Sequence, residues 1–181
     1  STGPPRRYRG TSGTTSGGSY YLDNQEGSPE SHDKIISDSR SWESTHGNTV
    51  YYHLYTDSAS GINIIQYWFF YAFNDGELNQ HEGDWEMIEV GLVGGQPSWV
   101  GYSQHYSGQK ATWSQVEKEG DHIKVYVALG SHANYLRSYS GKLGLANDIV
   151  GSDGYVLRPG EYTLVDCTTQ TWIDIDGLWG E

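Results

Sequence analysis

The sequence predicts an all-β fold, an antiparallel β-sandwich with short helices in its connections. Three observations carry that expectation. The 181 residues include 24 Gly, 15 Tyr and 7 Trp, a composition suited to strands, turns and aromatic surfaces. Short β-branched and aromatic runs recur along the chain, with Gly, Pro and Asn turn signals between them. Helical periodicity is scarce. A chain of this length forms one domain with a sizeable core.

Residues 1–18 read as a flexible arm ahead of a single domain at 19–181. The arm holds Pro4-Pro5, then Arg6, Arg7 and Arg9, then a Thr/Ser/Gly tract at 11–18, too little apolar surface to offset its ordering entropy. Residues 23–47 are polar and irregular, with loop signals at Gly27-Ser28-Pro29 and Gly47-Asn48. Strands follow. Residues 50–55 are β-branched and aromatic, and 62–73 are apolar on both phases, as in a strand covered on both faces. Residues 84–93 alternate, with Ile88, Val90 and Leu92 in one phase. A Gly94-Gly95-Gln96-Pro97 turn leads to a strand at 99–106, and 123–129 alternates cleanly. Segments 155–157 and 162–165 flank an Arg158-Pro159-Gly160 turn, and 171–175 is the closing strand. A short helix is expected at 113–119 or within 133–148.

Charge narrows the partners. Eleven Lys and Arg against 23 Asp and Glu give a net charge of −12. Phosphate backbones repel such a chain, so nucleic acid is not expected unless cations neutralise the carboxylates or the arginine arm binds locally. The single Cys167 permits no internal disulfide and is expected to pack as a small buried side chain. No run is long and apolar enough to span a bilayer as a helix. No signal peptide is visible, and the chain starts at Ser1, as a processed or trimmed chain would.

The chemistry concentrates in His81-Glu82-Gly83-Asp84-Trp85-Glu86. On a strand, Asp84 and Glu86 share a face, and that face continues into Ile88, Val90 and Leu92. Two carboxylates entering a core-facing row repel each other and lose hydration. A cation, a basic side chain or a shared proton must compensate. His81 lies one short turn upstream, Gly83 lets that turn fold back, and Asp75 sits in a loop just before. An oxygen-rich set with one imidazole suits Ca²⁺ or Mg²⁺, with Mn²⁺ also compatible. The expected metal ligands are therefore His81, Asp84, Glu86 and Asp75. Against this stands a plain solvated strand end with ordinary histidines.

Four ordered pieces resemble the family named for vacuolar protein sorting-associated protein 62: residues 67–74, 81–86, 102–105 and 125–133. A more distant similarity is to the necrosis- and ethylene-inducing-peptide-like cytolysins, whose heptapeptide contributes to a divalent cation site on a β-sandwich. The first histidine of that heptapeptide is matched by His81, its aspartate by Asp84 and its glutamate by Glu86. An upstream aspartate of the cytolysins is similar in placement to Asp75, and a downstream histidine to His132. Glu82 and Gly83 depart from the heptapeptide, which puts a membrane-damaging role in doubt. The resemblance implies cation binding and an extracellular location.

His105 and His132 are the catalytic candidates, each following a strand-like run. If 84–93 and 123–129 are antiparallel neighbours, His132 falls beside Asp84, and His105 reaches the same rim if its own strand also runs antiparallel to 84–93. Ser131 lacks the Gly-x-Ser-x-Gly frame of a nucleophile elbow, and Asp174-Ile175-Asp176-Gly177 lacks the remaining ligands of a calcium loop. Three functions stay open. The first is a secreted cation-dependent protein that recognises a glycan or lipid headgroup through metal and aromatics. The second is a metal-dependent hydrolase or lyase with His105 or His132 as proton shuttle. The third is a structural or adhesive module stapled by its cation.

Overall fold

The computed structural model describes residues 7–9, 20–22, 32–77, 79–139, 142–143 and 146–173. In chain order the elements are β1 (Arg7–Arg9), β2 (Tyr20–Leu22), α1 (His32–His46), β3 (Asn48–Asp57), β4 (Ile62–Asn74), β5 (His81–Val93), β6 (Gln96–Ser103) and β7 (Gly108–Thr112). Short strands follow: β8 (Lys118–Glu119), β9 (His122–Ile123), β10 (Tyr126–Val127), β11 (Asn134–Tyr135), β12 (Lys142–Leu143) and β13 (Asp148–Ile149). The last strand is β14 (Tyr162–Asp166), and a 3-10 turn at Cys167–Thr169 follows it.

The fold is all-β, as the composition requires. Six strands make one sheet in the order β14-β3-β4-β5-β6-β7. The strands from β3 to β7 pair antiparallel with their neighbours in sequence, whereas β14 runs parallel to β3 at the edge. Alternation places Ile88, Val90, Val100, Tyr102 and Ala111 on one face. There they are buried with Val116, and Trp113, Ile123, Val125 and Leu136 pack over them. The stretch carrying β8 to β11 is thus the second layer of a sandwich-like core, built from two-stranded ladders rather than a full second sheet.

Several expectations need correction. Residues 32–46 form a helix where an irregular segment was expected. The helical signal is weak because only Ile35 is buried and, apart from the half-buried Ile36 and the exposed Trp42, the rest of the helix is polar. A Lys34–Asp38 pair at 2.6 Å spans one turn, and Gly47 ends the helix, its amide donating to the Glu43 carbonyl at 2.8 Å with φ +68°. The loop signal at Gly47 is therefore a helix stop. The helix expected at 113–119 or within 133–148 is replaced, among the described residues, by turns and two-residue strands. The run at 123–129 is interrupted at 124–125, and its two short strands pair locally, so it does not flank β5, whose partners are β4 and β6. Residues 155–157 are not a strand, and 171–173 form a turn, while 174–175 lie outside the described residues. Inside the segment expected to be an arm, β1 pairs antiparallel with β2, and the rest of that segment lies outside the described residues.

Candidate acid–base site

The site grows from the end of β5 that holds the two carboxylates. On the β4–β5 ladder Tyr71 faces Asp84 and Phe69 faces Glu86. Gly83 breaks the extended strand with φ +68°, a conformation glycine reaches without steric cost. In an unbroken strand residues 81 and 84 would project from opposite faces. With the kink, His81 Nε2 comes within 3.5 Å of Asp84 Oδ1. The other imidazole nitrogen, Nδ1, lies 3.0 Å from the Asn79 carbonyl. A carbonyl only accepts, so the ring hydrogen belongs on Nδ1, and Nε2 is the nitrogen turned to the carboxylate.

The second oxygen of Asp84 is more fully engaged. Its Oδ2 accepts from Asn74 Nδ2 at 3.1 Å and lies 2.9 Å from His132 Nδ1. His132 stacks on Tyr71 with ring centroids 3.9 Å apart and planes 3° from parallel. Its backbone sits at φ +58°, the left-handed region, which costs a non-glycine residue of order 1–3 kcal/mol. The turn reaching it is tied down: Asp75 N donates to the Gly130 carbonyl at 2.9 Å, and Asn74 Nδ2 also reaches the Ser131 carbonyl at 3.3 Å. The ring is thus fixed by stacking, a hydrogen bond to Asp84 and a strained backbone. Nδ1 donates to Asp84, which leaves Nε2 as the basic nitrogen.

Glu86 turns elsewhere. Its Oε2 accepts from Ser103 Oγ at 2.7 Å and from Asn134 Nδ2 at 3.3 Å. Burial pushes its carboxyl up to about 7, Ser103 opposes the rise, and the charges of Asp84 and Asp148 add to it. Tyr71 is raised by burial and by the same two β5 carboxylates. Beside this group lies a second acid–imidazole pair. His105 Nε2 is 2.8 Å from Asp148 Oδ2, which also accepts from Tyr135 at 2.7 Å, while Ser131 Oγ donates to Oδ1. Burial raises the Asp148 carboxyl, but the hydrogen bonds from Ser131, Tyr135 and His105 outweigh it and hold it below its ordinary value. Ser131 precedes His132 directly, so the two acid–imidazole pairs share one turn of backbone.

The structure therefore gathers His81, Asp84, Glu86, His105 and His132 at one end of the sheet. His105 is held by Asp148 rather than by Asp84. Asp75 is exposed, and its Oδ1 accepts from Gln80 at 2.6 Å. The cation ligands do not converge in this arrangement. His81 and Asp84 face each other, but Glu86 is committed to Ser103 and Asn134 and Asp75 to Gln80. Among the described residues no group of three or more His, Cys, Asp and Glu is placed to hold a metal ion.

Sequence reasoning passed over Tyr71, Asn74, Ser103, Asn134 and Asp148. Tyr71, Asn74 and Ser103 fall inside the quoted motifs, and Asn134 lies two residues after His132. Asp148 comes from a distant hairpin that carries no local signal. Comparison with protein-family models, curated proteins and solved structures returns no match.

Proposed function

We propose that this protein is a hydrolase or lyase that works by acid–base catalysis at the end of β5. The observation that carries the reading is His132, strained at φ +58°, stacked on Tyr71 and held by Asp84 at 2.9 Å. A backbone cost of this size persists where the surroundings over-determine the residue, and such residues cluster at functional sites. The pair Asp84–His132 orients a basic Nε2 to take a proton from water or a substrate hydroxyl. Glu86, protonated up to about 7, is the proton donor to a leaving oxygen. His105, oriented by Asp148, is a second proton carrier on the rim. Asp84 and Asp148 in the cluster and a net charge of −12 disfavour an anionic substrate, and a neutral glycan fits the electrostatics best. The test is a screen of neutral polysaccharides, phosphoesters and lipid vesicles for turnover, with and without chelator. Turnover of a neutral polysaccharide that His132→Ala abolishes in a folded protein supports the reading. Turnover unchanged in His132→Ala rejects it.

A second reading is a secreted, divalent-cation-dependent protein recognising a glycan or lipid headgroup. One observation favours it: His81 Nε2 faces Asp84 Oδ1 at 3.5 Å with the ring hydrogen committed to Asn79. That geometry supplies two donors to Ca²⁺, Mg²⁺ or Mn²⁺, and Glu86, whose bonds to Ser103 and Asn134 both use Oε2, would have to turn Oε1 toward them to supply a third. Calorimetric titration with each cation decides between the readings. Saturable binding lost in His81→Ala supports recognition, and silence in all three titrations opposes it.

A further inference from the structure

The sheet has a second face, and strand β5 serves both. Trp85 lies between Asp84 and Glu86, so alternation points it away from the acid–base cluster. On that face Tyr51, Trp68, Trp85, Cys167, Trp172 and Ile173 line a cavity of about 270 Å³. The register explains the gathering: Tyr51 on β3 pairs with Trp68 on β4, and the 3-10 turn after β14 brings Cys167 and then Trp172 over them. The rings are set at mixed angles. Trp85 and Trp172 are 5.8 Å apart and 18° from parallel, whereas Tyr51 meets Trp172 edge-on at 5.0 Å and 77°. Phe70, 42 % exposed, packs on Trp85 at 4.9 Å beside the cavity.

We propose that this cavity is a binding site for a neutral, flat, mainly apolar ring compound, separate from the acid–base cluster. Size is the first argument. An apolar cavity of about 150 Å³ holds a benzene ring, so this one takes roughly two fused rings. Shape is the second: Trp85 and Trp172 stack on each other and Tyr51 meets Trp172 edge-on, so the rings hold one another in place, and the cavity that they line with Trp68 gives a planar ligand aromatic walls to pack against. Charge is the third. The lining consists of four aromatics, an isoleucine and a thiol. Burial, with the nearby charge of Asp166, pushes the Cys167 thiol up and keeps it protonated. A charged ligand would lose its hydration here with no opposite charge on the lining. Because Trp85 is flanked by Asp84 and Glu86, occupancy behind the sheet bears on the strand that carries both carboxylates.

The test uses the full chain and the neutral naphthalene dye prodan. Its emission should shift to the blue and saturate at one dye per chain. In heteronuclear spectra of the unmodified protein, the indole N–H signals of Trp68, Trp85 and Trp172 should move, while those of Trp99 and Trp113 stay. Cys167→Leu fills the floor of the cavity and should weaken binding at least tenfold, with folding checked by its melting curve. Absence of saturable binding would overturn the site. So would movement of the Trp99 or Trp113 signals in place of the other three, or unchanged affinity in a folded Cys167→Leu protein. If that variant does not fold, the indole signals of the unmodified protein decide alone.

Discussion

Replacing Glu86 with Gln should change how stability responds to pH. The Glu86 carboxyl keeps its proton up to about 7 instead of the ordinary 4.5, chiefly through burial, with Asp84 and Asp148 adding to the rise and Ser103 opposing it. Between those two values the folded protein holds a proton that the unfolded chain has released. The stability Glu86 contributes is therefore complete below about 4.5 and is lost as pH rises through about 7. At about 1.4 kcal/mol per pH unit, that interval has a ceiling of about 3.5 kcal/mol. The side chain keeps partial contact with water, and screening reduces the effect to about 1–2 kcal/mol. The groups around it are Asp84 on β5, Tyr71 on β4, Ser103 on β6, Asn134 on β11 and Asp148 on β13. All are present in both proteins, so their own titrations largely cancel in the difference. Urea denaturation of wild type and Glu86→Gln at pH 5 and pH 8, in excess chelator, measures it. The glutamine variant should gain about 1–2 kcal/mol on wild type between the two pH values. A flat difference, or a gain by wild type, would refute the claim that Glu86 is held protonated by burial.

Asp148→Asn should cost about 2 kcal/mol at neutral pH, because it removes the ionised acceptor shared by Ser131, Tyr135 and His105. Since the Asp148 carboxyl lies below its ordinary 3.8, the stability it supplies is present above 3.8 and fades under acid, which a denaturation series below pH 4 would track. His132→Gly should be more stable than His132→Ala by about 1 kcal/mol, because only glycine relieves the left-handed backbone; equal melting temperatures would remove the strain argument. Gly91→Ala should destabilise by about 2 kcal/mol or more, since a Cβ there would lie 2.0 Å from Trp99 Cε2, and a melting temperature matching wild type would show that the indole moves freely.

The meander was legible because its residues obey the two-residue period over long stretches. Ile88 and Val90 on β5 answer Tyr102 and Val100 on β6, and each alternation can be read without its partner. Helix α1 was not legible, since a helix that buries only Ile35 leaves almost no apolar stripe. At the site, the shared face of Asp84 and Glu86 and the fold-back at Gly83 follow from local geometry. The nearness of His132 to Asp84 was expected, but from a strand pairing that does not exist; a loop held by Asn74 and the Gly130 carbonyl delivers the ring instead. Asp148 was out of reach for a different reason. Its place beside His105 depends on how a hairpin from another part of the chain docks, and no local pattern encodes docking.

The parallel pairing of β14 with β3 has a consequence for the order of assembly. Strands β3 to β7 are joined by short connections and can zip together hairpin by hairpin as the polypeptide emerges from the ribosome. Tyr162 meets Asn48 only after the whole intervening chain has been made. Until then β3 is a bare hydrogen-bonding edge, and Tyr51 and Trp68 lack the cover that Cys167 and Trp172 bring. The nascent protein thus passes through a stage in which the acid–base end is largely built while its aromatic back is open and adhesive. Chaperone engagement during synthesis should therefore concentrate on that edge, and fall away once β14 has docked.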